Sequence, residues 1–190
     1  MQELTDLSDG HLLGRASAGD QEAFTVLYRR CQGPVFRFAL RMSGSPALAE
    51  EVTQEAFLVL IRNPEQFEAS RGSLAAFLFG VARHHVLRHL ERDRRLVPLS
   101  EGDGGNGHVA PSDGDLDRRQ RVEQVRRAVL SLPARYREVV VLCDLNEASY
   151  EEAAQAIGCG VGTVRSRLHR ARALLAGKLR AAPDARRCSA

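Results

Sequence analysis

Tryptophan is missing from this 190-residue chain, aromatics make up only 5% of it, and one lysine, Lys178, stands among 27 basic residues. No run approaches the roughly 18 consecutive apolar residues that a membrane span requires. The opening stretch MQELTDLSDGHLLGRASAGD is too acidic and too weakly apolar for a signal peptide. Both features argue against direct membrane insertion. The cysteines Cys31, Cys143, Cys159 and Cys188 lie far apart without a CxxC pair, which argues against a disulfide framework and a thiolate metal site and for a cytoplasmic protein. A Gly-rich phosphate loop, HExxH, GxSxG and any nucleophile with a matching base are absent too. The chain therefore reads as a non-enzyme with no cofactor and no small-molecule substrate.

What is present is aliphatic content ample for buried cores and an uneven charge pattern. The formal net charge is only +3, yet between Arg165 and Arg187 the only acid is Asp184. Such a block marks a nucleic-acid or membrane surface, or else a solvated helix face.

From Leu96 to about Asp117 the segment LVPLSEGDGGNGHVAPSDGDLD has few groups able to order a backbone, and it reads as a linker. On both sides apolar residues recur at helical spacing, and no alternating strand pattern is sustained. The fold class is all-α: two small helical domains joined by a flexible tether. As a random coil of some two dozen residues, the tether spans about 25–30 Å.

In the first half Asp20 is an N-cap for QEAFTVLYRRC, and Gln32-Gly33-Pro34 is expected to interrupt the pattern before VFRFALRMSG continues it. Ser45-Pro46 caps ALAEEVTQEAFLVLIR, which should stop at Asn63-Pro64. A third helix runs from near Ser73 to Arg95. Phe77, Leu78, Val81, Ala82, Val86 and Leu90 share its core side with His85 and His89, while His84, Arg88, Glu91 and Arg95 face away and Arg83 and Arg92 lie to the sides. His85 and His89 stand at i, i+4, but no Cys or carboxylate beside them completes a metal site.

The second half carries SYEEAAQAIGCGVGTVRSRLHRARALL. Ser149 and Glu152 form a capping box, Ala153, Ala154 and Ile157 point inward, and Gly158-Cys159-Gly160 ends that helix. In the next helix Val164, Leu168, Ala171 and Leu175 are spaced for a core side. A short helix, a glycine turn and a second helix is the helix-turn-helix pattern. The outward side of the second helix then displays Thr163, Arg165, Ser166, His169 and Arg170, with Arg167 and Arg172 at its edges. The first group suits base edges and the second phosphates. A solvated basic face would explain the charge, but not the capping box or the glycine turn. A membrane-surface helix would want bulky aromatics that this one lacks.

These residues bring a family into view. LSLPARYREVVVLCDLNEASYEEAAQAIGCGVGTVRSRLHRARALL resembles region 4 of bacterial sigma factors of the extracytoplasmic-function (ECF) group, and LAEEVTQEAFLVLIR with FLFGVARHHVLRHLERDRR resembles region 2, in the same order. GTVRSRLHRAR and VTQEAF are the most specific parts. The resemblance implies a region 2 bundle over residues 1–95, a linker over 96–119, a region 4 helix-turn-helix over 120–181 and a basic tail over 182–190. It further implies an alternative sigma factor that binds core RNA polymerase through the clamp coiled coil and flap, together with promoter DNA and an anti-sigma partner. By the resemblance Thr163, Arg165, Ser166, His169 and Arg170 read the −35 element, and Arg167 and Arg172 hold its phosphates. Glu51, Gln54, Glu55 and Phe57 contact the polymerase. The −10 element meets Phe67 and Ser70 of the loop PEQFEASRGS and Arg83, His84 and Arg88 of the cationic helix. Phe77 stands where many members have tryptophan, and His84 where many have asparagine. A repressor or activator not bound to polymerase would share the helix-turn-helix, but the N-terminal half shows no effector pocket or heptad seam for it.

Overall fold

The computed structural model describes residues 2–96 and 113–181, and every regular element among them is helical. The chain runs α1 (Gln2–Thr5), α2 (Asp9–Ser17), α3 (Gln21–Ser43), α4 (Pro46–Arg62), a 3₁₀ turn at Pro64–Gln66 and α5 (Leu74–Leu96). After the undescribed stretch come α6 (Asp113–Leu130), α7 (Ala134–Val140), a π turn at Val141–Leu145, α8 (Tyr150–Ile157) and α9 (Val161–Ala181). Residues 97–112, most of the expected linker, and the expected basic tail at 182–190 lie outside the described residues. The last seven residues of the expected linker belong to α6, which starts at Asp113.

Local chemistry sets most boundaries. Asp20 accepts hydrogen bonds from the Glu22 and Ala23 N–H groups at 3.0 Å each, Ser45 accepts from Leu48 with Pro46 in the first turn, and α4 stops at Asn63. The expected interruption at Gln32-Gly33-Pro34 does not occur, because α3 runs unbroken through Pro34. Proline in a helix interior costs about 3 kcal/mol. Leu27, Cys31, Val35, Phe38 and Met42 form one buried stripe spanning that point, and burying each large apolar side chain returns about 1.5–3 kcal/mol. Packing therefore outweighs the local defect. The short helices α1 and α2 were not foreseen. Ser8 caps α2, and Arg30 of α3 anchors the region by donating to the Leu7 and Thr5 carbonyls at 3.1 and 2.7 Å and to Asp9 at 2.5 Å.

The two helical units are docked. Their buried side chains form one continuous cluster from Leu4 to Ala171, in which α5 lies along α8. Gly80 lies against α8 there: a Cβ would just touch the Ala156 carbonyl oxygen at 3.4 Å, leaving no room for a larger side chain. Gly72, with φ 150°, leaves the space that the Gln155 amide occupies. Ser73 donates to Glu152 at 2.7 Å across the same seam. At the far end of α3, Arg137 donates to the Met42 carbonyl at 2.5 Å and Arg126 to the Gly44 carbonyl at 2.7 Å, while Arg41 reaches the Leu145 carbonyl. A tether's length permits separation of the units, whereas these seam contacts depend on side chains far apart in sequence.

Candidate nucleic-acid interface

The helix-turn-helix is built as its caps require. Ser149 Oγ accepts from the Glu152 N–H at 3.1 Å, and the Glu152 carboxylate accepts from the Ser149 N–H at 2.9 Å. Gly158 ends α8 in the left-handed conformation, φ 75°, and the Thr163 N–H returns to the Gly160 carbonyl at 2.9 Å to start α9. Val164, Leu168 and Ala171 are buried and Leu175 is half-buried. Arg165, Ser166, His169 and Arg170 are exposed together and Thr163 is half-buried. The Arg165 guanidinium lies over the Tyr150 ring, 5.7 Å from its centroid. A hydrogen bond from Arg170 holds the Tyr136 hydroxyl below the usual tyrosine range.

The two edge arginines are already engaged. Arg167 donates to Glu138 at 3.1 Å, and Arg172 grips Asp144 with two bonds of 2.6 and 3.1 Å. The hydrogen bonds to Asp144 push the Arg172 pKa further up. Phosphate contact by either residue must therefore compete with, or share, a carboxylate within the chain.

On α5, the expected −10 group is split. His84 and Arg88 are exposed, but Arg83 turns toward the second unit and donates from Nε to Glu138 at 2.7 Å. Phe67 is half-buried with its ring centroid 6.0 Å from that of Phe77, near edge-on, and Ser70 is exposed on the same loop. His85 sits inward, where burial, then Arg88, pushes its pKa down, with Glu55 opposing.

Of the α4 group, Gln54 and Phe57 line a groove, whereas Glu51 and Glu55 lie toward His89 and His85 of α5. Glu51 and Gln54 are exposed and Glu55 half-buried, and Glu51 meets His89 at 3.2 Å. Phe57 is a core residue, only 3% exposed, packed against Tyr28 at 4.7 Å and edge-on to Phe24 at 6.4 Å. Its packing forms the wall of an open groove between α3 and α4, which Tyr28, Phe36, Gln54, Leu58 and Ile61 also line. Burial raises the Cys31 thiol to about 12 and the Cys143 thiol to about 11, and both are unbridged.

Comparison with known proteins separates the sigma reading from the free-standing regulator. Residues 27–96 match the family model for Sigma-70 region 2, and residues 122–175 match that for Sigma-70, region 4. The ECF RNA polymerase sigma-E factor of Escherichia coli K12 is 32% identical over 183 residues, covering 91% of this chain and 95% of that protein. The chain belongs to the ECF RNA polymerase sigma factors. A second member, the sigma factor EcfG of Rhodopseudomonas palustris, is 32% identical over 142 residues, covering 75% of this chain and 77% of the relative. The solved structure of CnrH in complex with the cytosolic domain of CnrY aligns with 26% identity and a TM-score of 0.71 over 92% of this sigma factor and 99% of that chain.

Sequence reasoning about this sigma factor missed Glu138, Asp144 and the exposed apolar pair Tyr28 and Ile61. Glu138 is an acid inside the run REVVVLCD, and its position one residue before three buried valines was the available signal. Tyr28 stands four residues after Phe24 on α3, a spacing that would have placed it beside the groove.

Proposed function

We propose that α9 reads the −35 element through Thr163, Arg165, Ser166, His169 and Arg170, while α5 and its preceding loop engage the −10 strand through Arg83, His84, Arg88, Phe67 and Ser70. The single observation that carries the reading is the outward cluster of Arg165, Ser166, His169 and Arg170 on the helix after a fully capped α8. That arrangement supports the reading because a recognition helix meets base edges with bidentate donors and small hydroxyls. Arg167 and Arg172, at the edges of that side, contact flanking phosphates in the bound state.

Core RNA polymerase engages the α3–α4 groove. Tyr28 and Ile61, 37% and 51% exposed, supply apolar surface and Gln54 with Glu50 the polar rim, while Glu51 and Glu55, on the α5 side of α4, extend the contact beyond the groove. A coiled-coil segment of the clamp fits an apolar groove of that kind, and the region 4 unit takes the flap. The role is DNA recognition within a bacterial, cytoplasmic polymerase complex, with no chemistry of its own. Control comes from an anti-sigma partner, a reading supported by the likeness to CnrH, which was solved bound to CnrY.

Reconstituted transcription tests it. The chain with core polymerase should initiate at a cognate promoter, lose initiation when the −35 or −10 element is scrambled, and lose assembly when Gln54 and Glu55 are replaced with Ala together with Ile61→Asp. Initiation that is indifferent to the −35 sequence would remove α9 from the reading.

A further inference from the structure

Glu138 binds two arginines from opposite sides of the seam. Its side chain is 2% exposed, and its oxygens take Arg83 of α5 at 2.7 Å and Arg167 of α9 at 3.1 Å. Arg167 belongs to the same helical unit as Glu138, and Arg83 belongs to the other. Carboxylate and phosphate offer a guanidinium the same pattern of charged acceptor oxygens. We propose that Arg83 is a phosphate-binding residue for single-stranded promoter DNA whose occupant in the docked chain is the Glu138 carboxylate. Docking of the two units and capture of the strand are then mutually exclusive.

The proposal rests on the reading of α5 as the −10 helix, and three features of the seam support it. His84 and Arg88, on the same helix, are exposed with no ion pair among the described residues, so only Arg83 of the three is neutralised by docking. When the units part, Glu138 keeps Arg167, so opening never strands a buried carboxylate. The seam is also closely fitted, with Gly80 against the Ala156 backbone and Ser73 bonded to Glu152 at 2.7 Å, which places the competing carboxylate at one defined position.

The experiment measures binding of a labelled random-sequence single-stranded oligodeoxynucleotide to the full chain, with energy transfer between labels on α3 and α9 reporting docking. Gly80→Leu wedges the seam and leaves every charge in place, and Glu138→Gln removes the competing charge, with circular dichroism confirming that both variants remain folded. Both should lower energy transfer and tighten strand binding roughly tenfold, the scale of one charge-assisted hydrogen bond. Arg83→Ala should abolish that gain in either background. Unchanged binding in both variants overturns the competition, and a gain that survives Arg83→Ala overturns Arg83 as the shared residue. If Arg83→Ala, His84→Ala and Arg88→Ala each leave strand binding by the wedged chain untouched, the −10 reading itself fails.

Discussion

Helices α5 and α9 both divide their basic residues between an outward set and one arginine turned in to Glu138, and the two inward arginines differ in what holds them. Arg167 meets Glu138 within its own unit, so that pair forms whether or not the units dock. Arg83 meets it only across the seam. The outward residues Arg165 and Arg170 on α9, and His84 and Arg88 on α5, have no acid opposite them in the described residues. The same side chain at similar helical spacing is thus either paired within the fold or left exposed on its surface, depending on which carboxylate the tertiary fold brings opposite.

The largest break in that comparison removes the shared carboxylate. Glu138→Ala leaves two guanidiniums beside an apolar core and should cost about 3 kcal/mol in urea denaturation. That is the low end for breaking a buried pair, because both arginines keep partial access to water. Arg83→Ala should cost clearly less than Arg167→Ala, since only the latter strips an interaction within one unit. Equal costs would erase the distinction between the two arginines.

Next in size is the outward set. Arg165→Ala should cost about 1–3 kcal/mol of binding at one −35 base pair while leaving the denaturation midpoint unchanged. A panel of −35 variants titrated at several salt concentrations checks it, and a uniform loss across the panel would move Arg165 to the phosphate group.

A smaller effect belongs to the second carboxylate at the seam. Burial alone would raise the Glu152 pKa, but hydrogen bonds from the Ser73 hydroxyl and from the Ser149 N–H and hydroxyl outweigh it and hold the group below its usual 4.5. A depressed carboxylate pKa contributes stability that is present above the unfolded value and is lost as pH falls through the folded one. Glu152→Gln keeps an acceptor for the Ser149 N–H but removes the charge that strengthens these hydrogen bonds, and should therefore cost about 1 kcal/mol near neutrality. The gap from the parent chain should close as pH drops below about 4.5. A gap that stays constant down to pH 3 would show that the charge is not what matters.

The smallest effect is expected at the exposed Arg172–Asp144 pair. Arg172→Ala should change stability by no more than about 0.5 kcal/mol, yet weaken every −35 sequence alike and flatten the salt dependence, because it removes one phosphate contact. Selectivity that changes at a single base pair would contradict this.

Much of this was readable from residue order. Asp20, Ser45-Pro46, Ser149 with Glu152, and Gly158 announce helix ends because caps act within four residues of themselves. The outward side of α9 followed from period and polarity, since its inward residues Val164, Leu168 and Ala171 leave only one side for the rest. Pro34 misled, because a local defect of known cost was set against a buried stripe whose gain appears only when α4 and α5 pack on it. Phe57 likewise looked available for contact, and packing against Phe24 and Tyr28 places it in the wall beneath the groove.

By itself the sequence determined the helices with strong caps, the order of the two units, the helix-turn-helix and the outward side of its second helix, all of them products of short-range hydrogen bonding and 3.6-residue periodicity. Tertiary structure alone decided that α3 crosses Pro34 unbroken, that α5 lies on α8 at Gly80, and which arginines are neutralised. Those outcomes depend on carboxylates and apolar surfaces dozens of residues away, such as Glu138, 55 positions from Arg83. An ion pair requires the two groups to meet in space, and no local pattern in either segment records where the other will be.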